Sequence, residues 1–186
     1  MAKIQKGVSE ALFPVPIVLV SCADRNGKAN MVTIAWTGVV CSSPAMVSIS
    51  VRPSRFSHSM IKETNEFVLN IPGLSLIKET DLCGIISGRN KDKFKETGLT
   101  PVGASKVKVP LIEECPVNIE CKVKQLINLG AHDMFLAEVV AVHYDEEVLD
   151  KNGNIDFSKA APFTYNQGEY WSLGKKAGYY GFSARE

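Results

Sequence analysis

The chain has 186 residues, of which 45% are hydrophobic and 22% charged, and this size and composition predict one ordinary globular domain over residues 1–186. Its net charge is +1, so a basic surface for nonspecific nucleic-acid binding is not expected. No apolar stretch approaches the ~18–20 residues that span a bilayer, and prolines interrupt the apolar N-terminal segment. We therefore expect a cytoplasmic protein with no membrane or nucleic-acid partner.

The cysteines argue against a disulfide framework and against a zinc ribbon. There are five of them, an odd number, and no two form a C-x-x-C pair. They are Cys22, Cys41, Cys83, Cys115 and Cys121. The three histidines are scattered and do not have the spacing of a zinc site, so we expect reduced thiols and no metal.

The first part of the chain predicts a β-hairpin followed by a third strand. Val15–Ala23 and Asn30–Val40 are rich in β-branched residues, and Asp24–Gly27 between them is a cluster of turn residues. After Pro44, the third strand is expected at Ala45–Arg52.

The third strand alternates with a period of two residues. Its apolar face consists of Val47, Ile49 and Val51, and its polar face consists of Ser48, Ser50 and Arg52. A barrel strand would place the polar row in water, whereas a ligand site would use the same row as a lining. The alternation alone favours neither interpretation.

The middle of the chain predicts short helices and one more strand. The helices are expected at Ser57–Asn65, Ser75–Ile86 and Asn90–Thr97, and the strand at Glu66–Ile71. Ser57 and Ser75 are candidate N-caps, and Gly98 fits the position just past the end of a helix.

The last part of the chain predicts a second, longer hairpin. Pro116–Leu129 and Met134–Tyr144 alternate around the turn Gly130–Asp133, and Lys151–Asn154 is a further turn. The aromatic, glycine-rich tail suits packing on a surface or on another subunit. Two hairpin blocks separated by short helices indicate an α+β, mainly β, domain built on a small antiparallel barrel.

Several common functional motifs are absent from the sequence. There is no G-x-G-x-x-G, no G-x-x-x-x-G-K-[ST], no H-E-x-x-H and no G-x-S-x-G. The sequence therefore excludes the usual dinucleotide-binding dehydrogenase, P-loop NTPase, zinc hydrolase and α/β-hydrolase.

One segment has the chemistry of a phosphate site. Arg52, Arg55 and Ser57 lie between a predicted strand and the start of a predicted helix. Guanidinium groups, a hydroxyl and the free N–H groups of a helix start together suit one phosphate dianion. The alternative is that Ser57 only caps the helix and the arginines form surface ion pairs.

The order and spacing of several segments resemble the flavin reductase-like FMN-binding split-barrel family, and within it the flavoredoxin-type branch. The segments are Asn30–Trp36, Pro44, Val47–Ser57, Glu66–Asn70, Cys83–Gly88, Asp92–Phe94 and Gly130–His132. The resemblance extends from about Pro14 to the C-terminal aromatic residues. It implies an antiparallel split β-barrel with short flanking helices.

The resemblance also implies three groups of FMN-binding residues. Those expected along the flavin ring are Asn30, Met31, Val32, Thr33, Ala35 and Trp36. Those expected at the ribityl and phosphate end are Ser48, Ser50, Val51, Arg52, Arg55 and Ser57. Those expected in a loop that closes over the flavin are Cys83, Gly84, Ser87, Gly88 and Lys93. For Met31 and Trp36 core packing is the alternative, and for Lys93 a solvent-facing position.

The activity implied by the resemblance is hydride transfer from NADH or NADPH to N5 of FMN. Thr33 and His132 are the candidate residues near the reacting atoms, and a solvated turn is the alternative for His132. The chain has Ala131 and Ala137 where many relatives have Asp and Gly, which weakens the match to the nicotinamide site. The other reading is an electron carrier that holds FMN and serves redox protein partners. A homodimer is implied in both cases.

Overall fold

The computed structural model describes residues 1–184, and most of its regular structure is β-strand. The strands are β1 (Val15–Pro16), β2 (Val18–Ala23), β3 (Ala29–Ile34), β4 (Thr37–Ser42), β5 (Ala45–Val51), β6 (Glu66–Ile71), β7 (Pro101–Val102), β8 (Leu111–Ile112), β9 (Val117–Asn128), β10 (Asp133–Tyr144), β11 (Phe163–Asn166) and β12 (Glu169–Ser172). The helices are α1 (Phe56–Thr64), α2 (Ile77–Ile85), α3 (Lys93–Thr97) and α4 (Phe157–Ala160). Both predicted hairpins, β2–β3 and β9–β10, are confirmed.

Seven strands form one antiparallel sheet in the order β3-β2-β6-β9-β10-β5-β4. Its two edge strands, β3 and β4, are consecutive in the chain and are joined only by Ala35 and Trp36. The sheet must therefore curl until its edges meet, and the Ser50 N–H donates to the Trp36 carbonyl at 2.9 Å where they do. The predicted split barrel of the α+β, mainly β class is confirmed.

The prediction of one strand at Asn30–Val40 is wrong in one respect, because the structure has two strands there, β3 and β4. β3 pairs with β2 at one edge of the sheet, and β4 pairs with β5 at the other edge. Ala35 and Trp36 make the corner between them. The β-branched composition continues across this corner, so propensity alone gives no sign of the break.

The barrel interior is filled by alternating strand residues. Val47, Ile49 and Val51 on β5 are all buried, as the period-two pattern predicts. They pack in one cluster with Phe67 and Phe135, which are at most 1% exposed. Helix α1 covers this cluster and so has a fixed position next to the end of β5.

The helix starts differ from the sequence prediction. Ser57 is not the N-cap of α1: Arg55 occupies that position, and the Ser57 hydroxyl instead accepts a hydrogen bond from Asn30. Ser75 lies in a short 3₁₀ turn before α2 and caps neither segment. Helix α3 begins after its N-cap Asp92, later than predicted, and ends at Gly98 as predicted. No helix within residues 1–184 is long and apolar enough to cross a membrane.

A second, three-stranded sheet lies beside the barrel and is formed by β1, β11 and β12. The Tyr170 hydroxyl on β12 donates to the Asp81 carboxylate on α2 at 2.7 Å. This sheet therefore brings the C-terminal tyrosines next to the corner at Trp36, where Tyr165 packs against the indole with ring centroids 6.5 Å apart.

All five cysteines are free thiols. Four of them are buried and Cys41 is half-buried. Burial raises the pKa of Cys83 to about 11 and that of Cys22 to about 12, so both thiols are protonated near neutral pH.

Candidate functional site

Two adjoining cavities open where β3, β5, α1 and α2 meet. The first, here called the basic cavity, has a volume of about 480 Å³ and is lined by Asn30, Arg52, Ser54, Arg55, Ser57, Ser87, Gly88 and Lys93 among others. The second, the aromatic cavity, has a volume of about 280 Å³ and is lined by Thr33, Trp36, His132, Tyr165 and Tyr170 among others. Both are lined by Val32, Arg52 and Arg55, so together they form one elongated site.

Three cations meet at the basic cavity without an acidic partner. Within residues 1–184, no carboxylate forms an ion pair with Arg52, Arg55 or Lys93. The Arg55 guanidinium donates to the Gly84 carbonyl at 3.3 Å, which holds it against α2. Uncompensated cations around one concave space make that space favourable for an anion.

Lys93 is the buried member of this group. It is 4% exposed, and its Nζ donates to the Cys83 carbonyl at 2.6 Å. Burial, with a further contribution from the Arg55 charge, lowers the pKa of the Lys93 ammonium. A buried ammonium that faces another cation is costly, and an anion in the cavity would reverse that cost.

Ser57 lies at the first turn of α1 and points its hydroxyl into the basic cavity. The Asn30 Nδ2 donates to Ser57 Oγ at 2.8 Å, and the Ser57 hydroxyl also forms a hydrogen bond with the buried Cys22 thiol. Gly88 packs so closely on Asn30 that a Cβ there would lie 2.2 Å from the Asn30 Oδ1. Glycine at this position thus lets the α2–α3 loop press Asn30 toward Ser57.

The start of α1 adds a further favourable field for an anion. The helix has nine residues, and its first turn contains no acidic residue. Its N-terminal end, which has partial positive charge, faces the same cavity as Arg52 and Arg55.

The aromatic cavity has planar walls. The Trp36 indole and the His132 imidazole stack with centroids 6.1 Å apart and an interplanar angle of 19°. Trp36 also packs on Tyr165, which packs on Tyr170 at 6.1 Å. Burial and the nearby Arg52 charge lower the pKa of His132, so the imidazole is neutral at pH 7. These walls suit a flat aromatic ligand.

Thr33 lines the aromatic cavity where β3 contacts α2. Its hydroxyl donates to the Thr80 carbonyl on α2. A Cβ on Gly84 would lie 3.4 Å from the Thr33 Cβ, so the strand and helix backbones approach closely here. Because its proton is used, Thr33 can only accept a further hydrogen bond.

The structure brings most of the residues selected from the sequence into these two cavities. They are Asn30, Val32, Thr33, Ala35, Trp36, Ser50, Val51, Arg52, Arg55, Ser57, Gly84, Ser87, Gly88, Lys93 and His132. Three others do not line either cavity. The Met31 and Cys83 side chains are 0% exposed in a second core cluster, and Ser48 is half-buried against β4.

Sequence reasoning missed Tyr165, Tyr170 and Ser54 as lining residues. The sequence indicates Tyr170 only as part of an aromatic, glycine-rich tail. Its contact with Asp81 joins residues 89 positions apart, and nothing local in the sequence signals it. Ser54 lies within the Arg52–Ser57 segment, and its position beside two selected arginines was a usable signal.

Solved structures with the same fold include two flavoredoxins. The flavoredoxin of Desulfovibrio vulgaris (Miyazaki F) is 31% identical, with a TM-score of 0.93 and coverage of 99% of this chain and 100% of that one. The flavoredoxin of Methanosarcina acetivorans is 28% identical, with a TM-score of 0.89 and full coverage of both chains.

The chain also resembles proteins and a family model by sequence. A protein of Archaeoglobus fulgidus is 33% identical over 148 residues, which are 80% of this chain and 82% of that protein. The family model of the flavin reductase like domain matches residues 10–174. The chain therefore belongs to the flavin reductase-like family.

Proposed function

We propose that this protein binds FMN and passes electrons through it, as an NAD(P)H-dependent oxidoreductase. The observation that supports this is the continuity of the two cavities. One end of the site has three cations without acidic partners and a serine hydroxyl, and the other end has aromatic walls. FMN has a phosphate dianion at one end and a flat aromatic ring at the other.

The residues of the basic cavity fit a terminal phosphate. Arg52 and Arg55 supply guanidinium donors, Ser57 supplies its hydroxyl, and Lys93 supplies a buried ammonium. Charge-assisted hydrogen bonds of this kind contribute about 1.5–3 kcal/mol each, which suits tight retention of the phosphate.

The residues of the aromatic cavity fit the ring end. Trp36 and Tyr165 provide apolar faces, and Thr33 can accept a hydrogen bond at the edge that faces α2. Bound FMN would accept a hydride at N5 and would release electrons one or two at a time. The chain would bind and orient it, and neutral His132, stacked on Trp36, would flank the ring on one side.

A pair of double variants tests the phosphate end. Arg55→Ala with Ser57→Ala removes two donors from the basic cavity, and we expect the Kd for FMN to rise about 10²–10³-fold. The control is Arg25→Ala with Ser59→Ala, which removes the same residue types outside the cavity, Ser59 from the exposed face of α1. Equal FMN retention by both double variants on a desalting column would disprove the phosphate assignment.

An electron carrier is the second candidate function, and the similarity to two flavoredoxins favours it. Anaerobic addition of NADH and then NADPH to the FMN-loaded protein separates the two functions. Bleaching of the flavin within seconds by either donor would establish the oxidoreductase and identify the donor. Bleaching by dithionite alone would establish the carrier, whose partners would be redox proteins.

The proposal also covers the cellular location of the protein and its oligomeric state. Free thiols at all five cysteines suit a reducing compartment, so we place the protein in the cytoplasm. A homodimer suits the exposed apolar side chains Val39 and Val40 on the edge strand β4, and sedimentation equilibrium tests it.

A further inference from the structure

A hydrogen-bonded cluster around a buried histidine–aspartate pair lies beside the site without lining either cavity. It consists of His58, Asp133 and Asn128. The His58 Nε2 lies 2.8 Å from the Asp133 Oδ2, and these side chains are 8% and 10% exposed. The Asn128 Nδ2 donates to the other Asp133 oxygen at 2.8 Å.

The cluster joins two elements that hold opposite ends of the site. His58 follows Ser57 on α1, beside the basic cavity. Asp133 follows His132, whose imidazole lines the aromatic cavity. The cluster therefore links the helix beside the phosphate end of the proposed FMN site to the hairpin turn beside its ring end.

The protonation of the cluster follows from its contacts. The hydrogen bond from His58, followed by that from Asn128, lowers the pKa of Asp133, so the carboxylate is ionised at neutral pH. The proton between them is therefore on the His58 Nε2, which donates. The His58 ring also packs edge-on against Phe135 with centroids 5.3 Å apart, which fixes its orientation.

The two elements differ in how firmly the rest of the fold holds them. Helix α1 is anchored by Met60 and Ile61, which are 3% and 0% exposed in the barrel core. The turn of the β9–β10 hairpin is exposed from Asn128 to Ala131, and besides the cluster a hydrogen bond from the Leu129 N–H to the His132 carbonyl at 3.0 Å holds it. Asn128 also accepts from the Gly130 N–H at 3.3 Å, so the cluster extends into this turn.

We propose that Asp133 and His58 are positioning residues for His132, holding the hairpin turn to α1 so that the imidazole stays stacked on Trp36 at the ring end of the site. This inference rests on the proposed function for its purpose, because the ring end is where the flavin would lie. Without the cluster, α1 stays in the core and the hairpin keeps its backbone hydrogen bond from Leu129 to His132, but the His132 imidazole moves away from Trp36.

The titration of His132 measures its position without any bound flavin. In the native arrangement, burial and the charge of Arg52, which faces the imidazole, hold its pKa below the usual 6.5. A His132 that has left Trp36 and Arg52 would titrate near 6.5. The measurement is the pH dependence of the histidine C2–H resonances by NMR, with the His132 resonance assigned from the variant His132→Gln.

Five variants make the test specific. We expect His132 to titrate near the usual value in Asp133→Asn and in His58→Ala. We expect the native titration in His58→Gln, because the glutamine amide can still donate to Asp133. We also expect it in His143→Gln, which breaks the other histidine–carboxylate pair on β10, with Glu120 at 2.6 Å. If Asp133→Asn does not fold, Asn128→Ala at the hairpin end replaces it with the same expectation.

A native His132 titration in folded Asp133→Asn, His58→Ala or Asn128→Ala would overturn the inference. A shifted titration in His58→Gln or His143→Gln would also overturn it, because the effect would then be a general loss of structure. Failure of the wild-type protein to bind FMN would instead contradict the proposed function, and it leaves the titration result unaffected.

Discussion

The Asn30 amide organises the basic cavity through two contacts. It donates to Ser57, which fixes the position of the serine hydroxyl, and it lies against Gly88 in the α2–α3 loop. The shape of the basic cavity therefore depends on the absence of a side chain at Gly88 as much as on its hydrogen-bond donors. The site is therefore sensitive to a change as small as one methyl group.

The first residue-scale prediction follows from that contact. Gly88→Ala places a Cβ 2.2 Å from the Asn30 Oδ1, so Asn30 must rotate and lose its bond to Ser57. Loss of one such bond costs about 1 kcal/mol or more, so we expect the Kd for FMN to rise about tenfold. The control is Gly103→Ala, where a Cβ meets nothing within 4 Å. Fluorescence titration with FMN gives both values, and equal affinities would contradict the prediction.

The second residue-scale prediction concerns the pH dependence of FMN binding. Burial lowers the pKa of Lys93, and the phosphate binds the protonated ammonium better. The contribution of Lys93 to affinity is therefore complete below its lowered pKa and is lost as the pH rises through it. We expect the affinity of the wild-type protein for FMN to fall between neutral pH and the usual lysine pKa of 10.5.

The variant Lys93→Met provides the control for this dependence. It keeps an unbranched side chain, one atom shorter, without the charge, and we expect about 10–100-fold weaker binding at pH 7. The ratio of the FMN affinity of Lys93→Met to that of the wild-type protein should approach one as the pH rises. A constant ratio across the pH range would show that Lys93 does not bind the phosphate.

At the scale of elements, a buried carboxylate fixes the loop that covers one face of the barrel. Glu120 on β9 is 0% exposed and accepts from the N–H groups of Ser105, Lys106 and Val107. His143 on β10 lies 2.6 Å from the same carboxylate. Burial alone would raise the pKa of Glu120, but the hydrogen bonds from Ser105, His143 and Lys106 lower it to about 2.

The element-scale prediction concerns stability. Because its pKa is lowered in the folded state, Glu120 stabilises the fold fully above about pH 4.5 and progressively less as the pH falls to about 2. We expect Glu120→Gln to lower the free energy of unfolding by about 2–4 kcal/mol at pH 7, because an amide N–H₂ would then face backbone donors.

Urea unfolding at several pH values tests this prediction. The difference between wild type and Glu120→Gln should shrink as the pH falls from 4.5 to 2. Glu113→Gln, at an exposed position, removes the same charge and should be nearly neutral. A Glu120→Gln protein as stable as wild type at pH 7 would contradict the account of the loop.

The elements show how far the sequence alone predicts this fold. Strand β6 has its predicted bounds at Glu66–Ile71, because turn residues mark both of its ends. The corner at Ala35–Trp36 was missed, since it is set by closure of the barrel and not by local propensity. The role of Ser57 as N-cap was wrong because Asn30, 27 residues away, binds its hydroxyl instead.

The candidate site could be predicted only where its residues are close in sequence. The segment from Arg52 to Ser57 has its chemistry in consecutive positions, so the basic cavity was foreseeable. The pairs Tyr170–Asp81 and His58–Asp133 join residues 89 and 75 positions apart. Only the folded topology brings such pairs together.

At the scale of the whole molecule, closure of the sheet creates the site. The two edge strands meet at Trp36, and this meeting places the ring-end residues of β3 beside the polar row of β5. The basic cavity then lies at one end of an elongated space and the aromatic cavity at the other. The central claim is that this space binds a ligand with a phosphate at one end and a flat ring at the other.

Comparative binding of FMN and riboflavin to the purified wild-type protein tests this claim most directly. Riboflavin has the same ring and ribityl chain without the phosphate, so the difference in Kd isolates the basic cavity. We expect FMN to bind at least about 100-fold more tightly, which corresponds to about 2.7 kcal/mol. We also expect this preference to collapse in Arg55→Ala with Ser57→Ala. Equal affinity for both ligands, or binding of neither, would contradict the account.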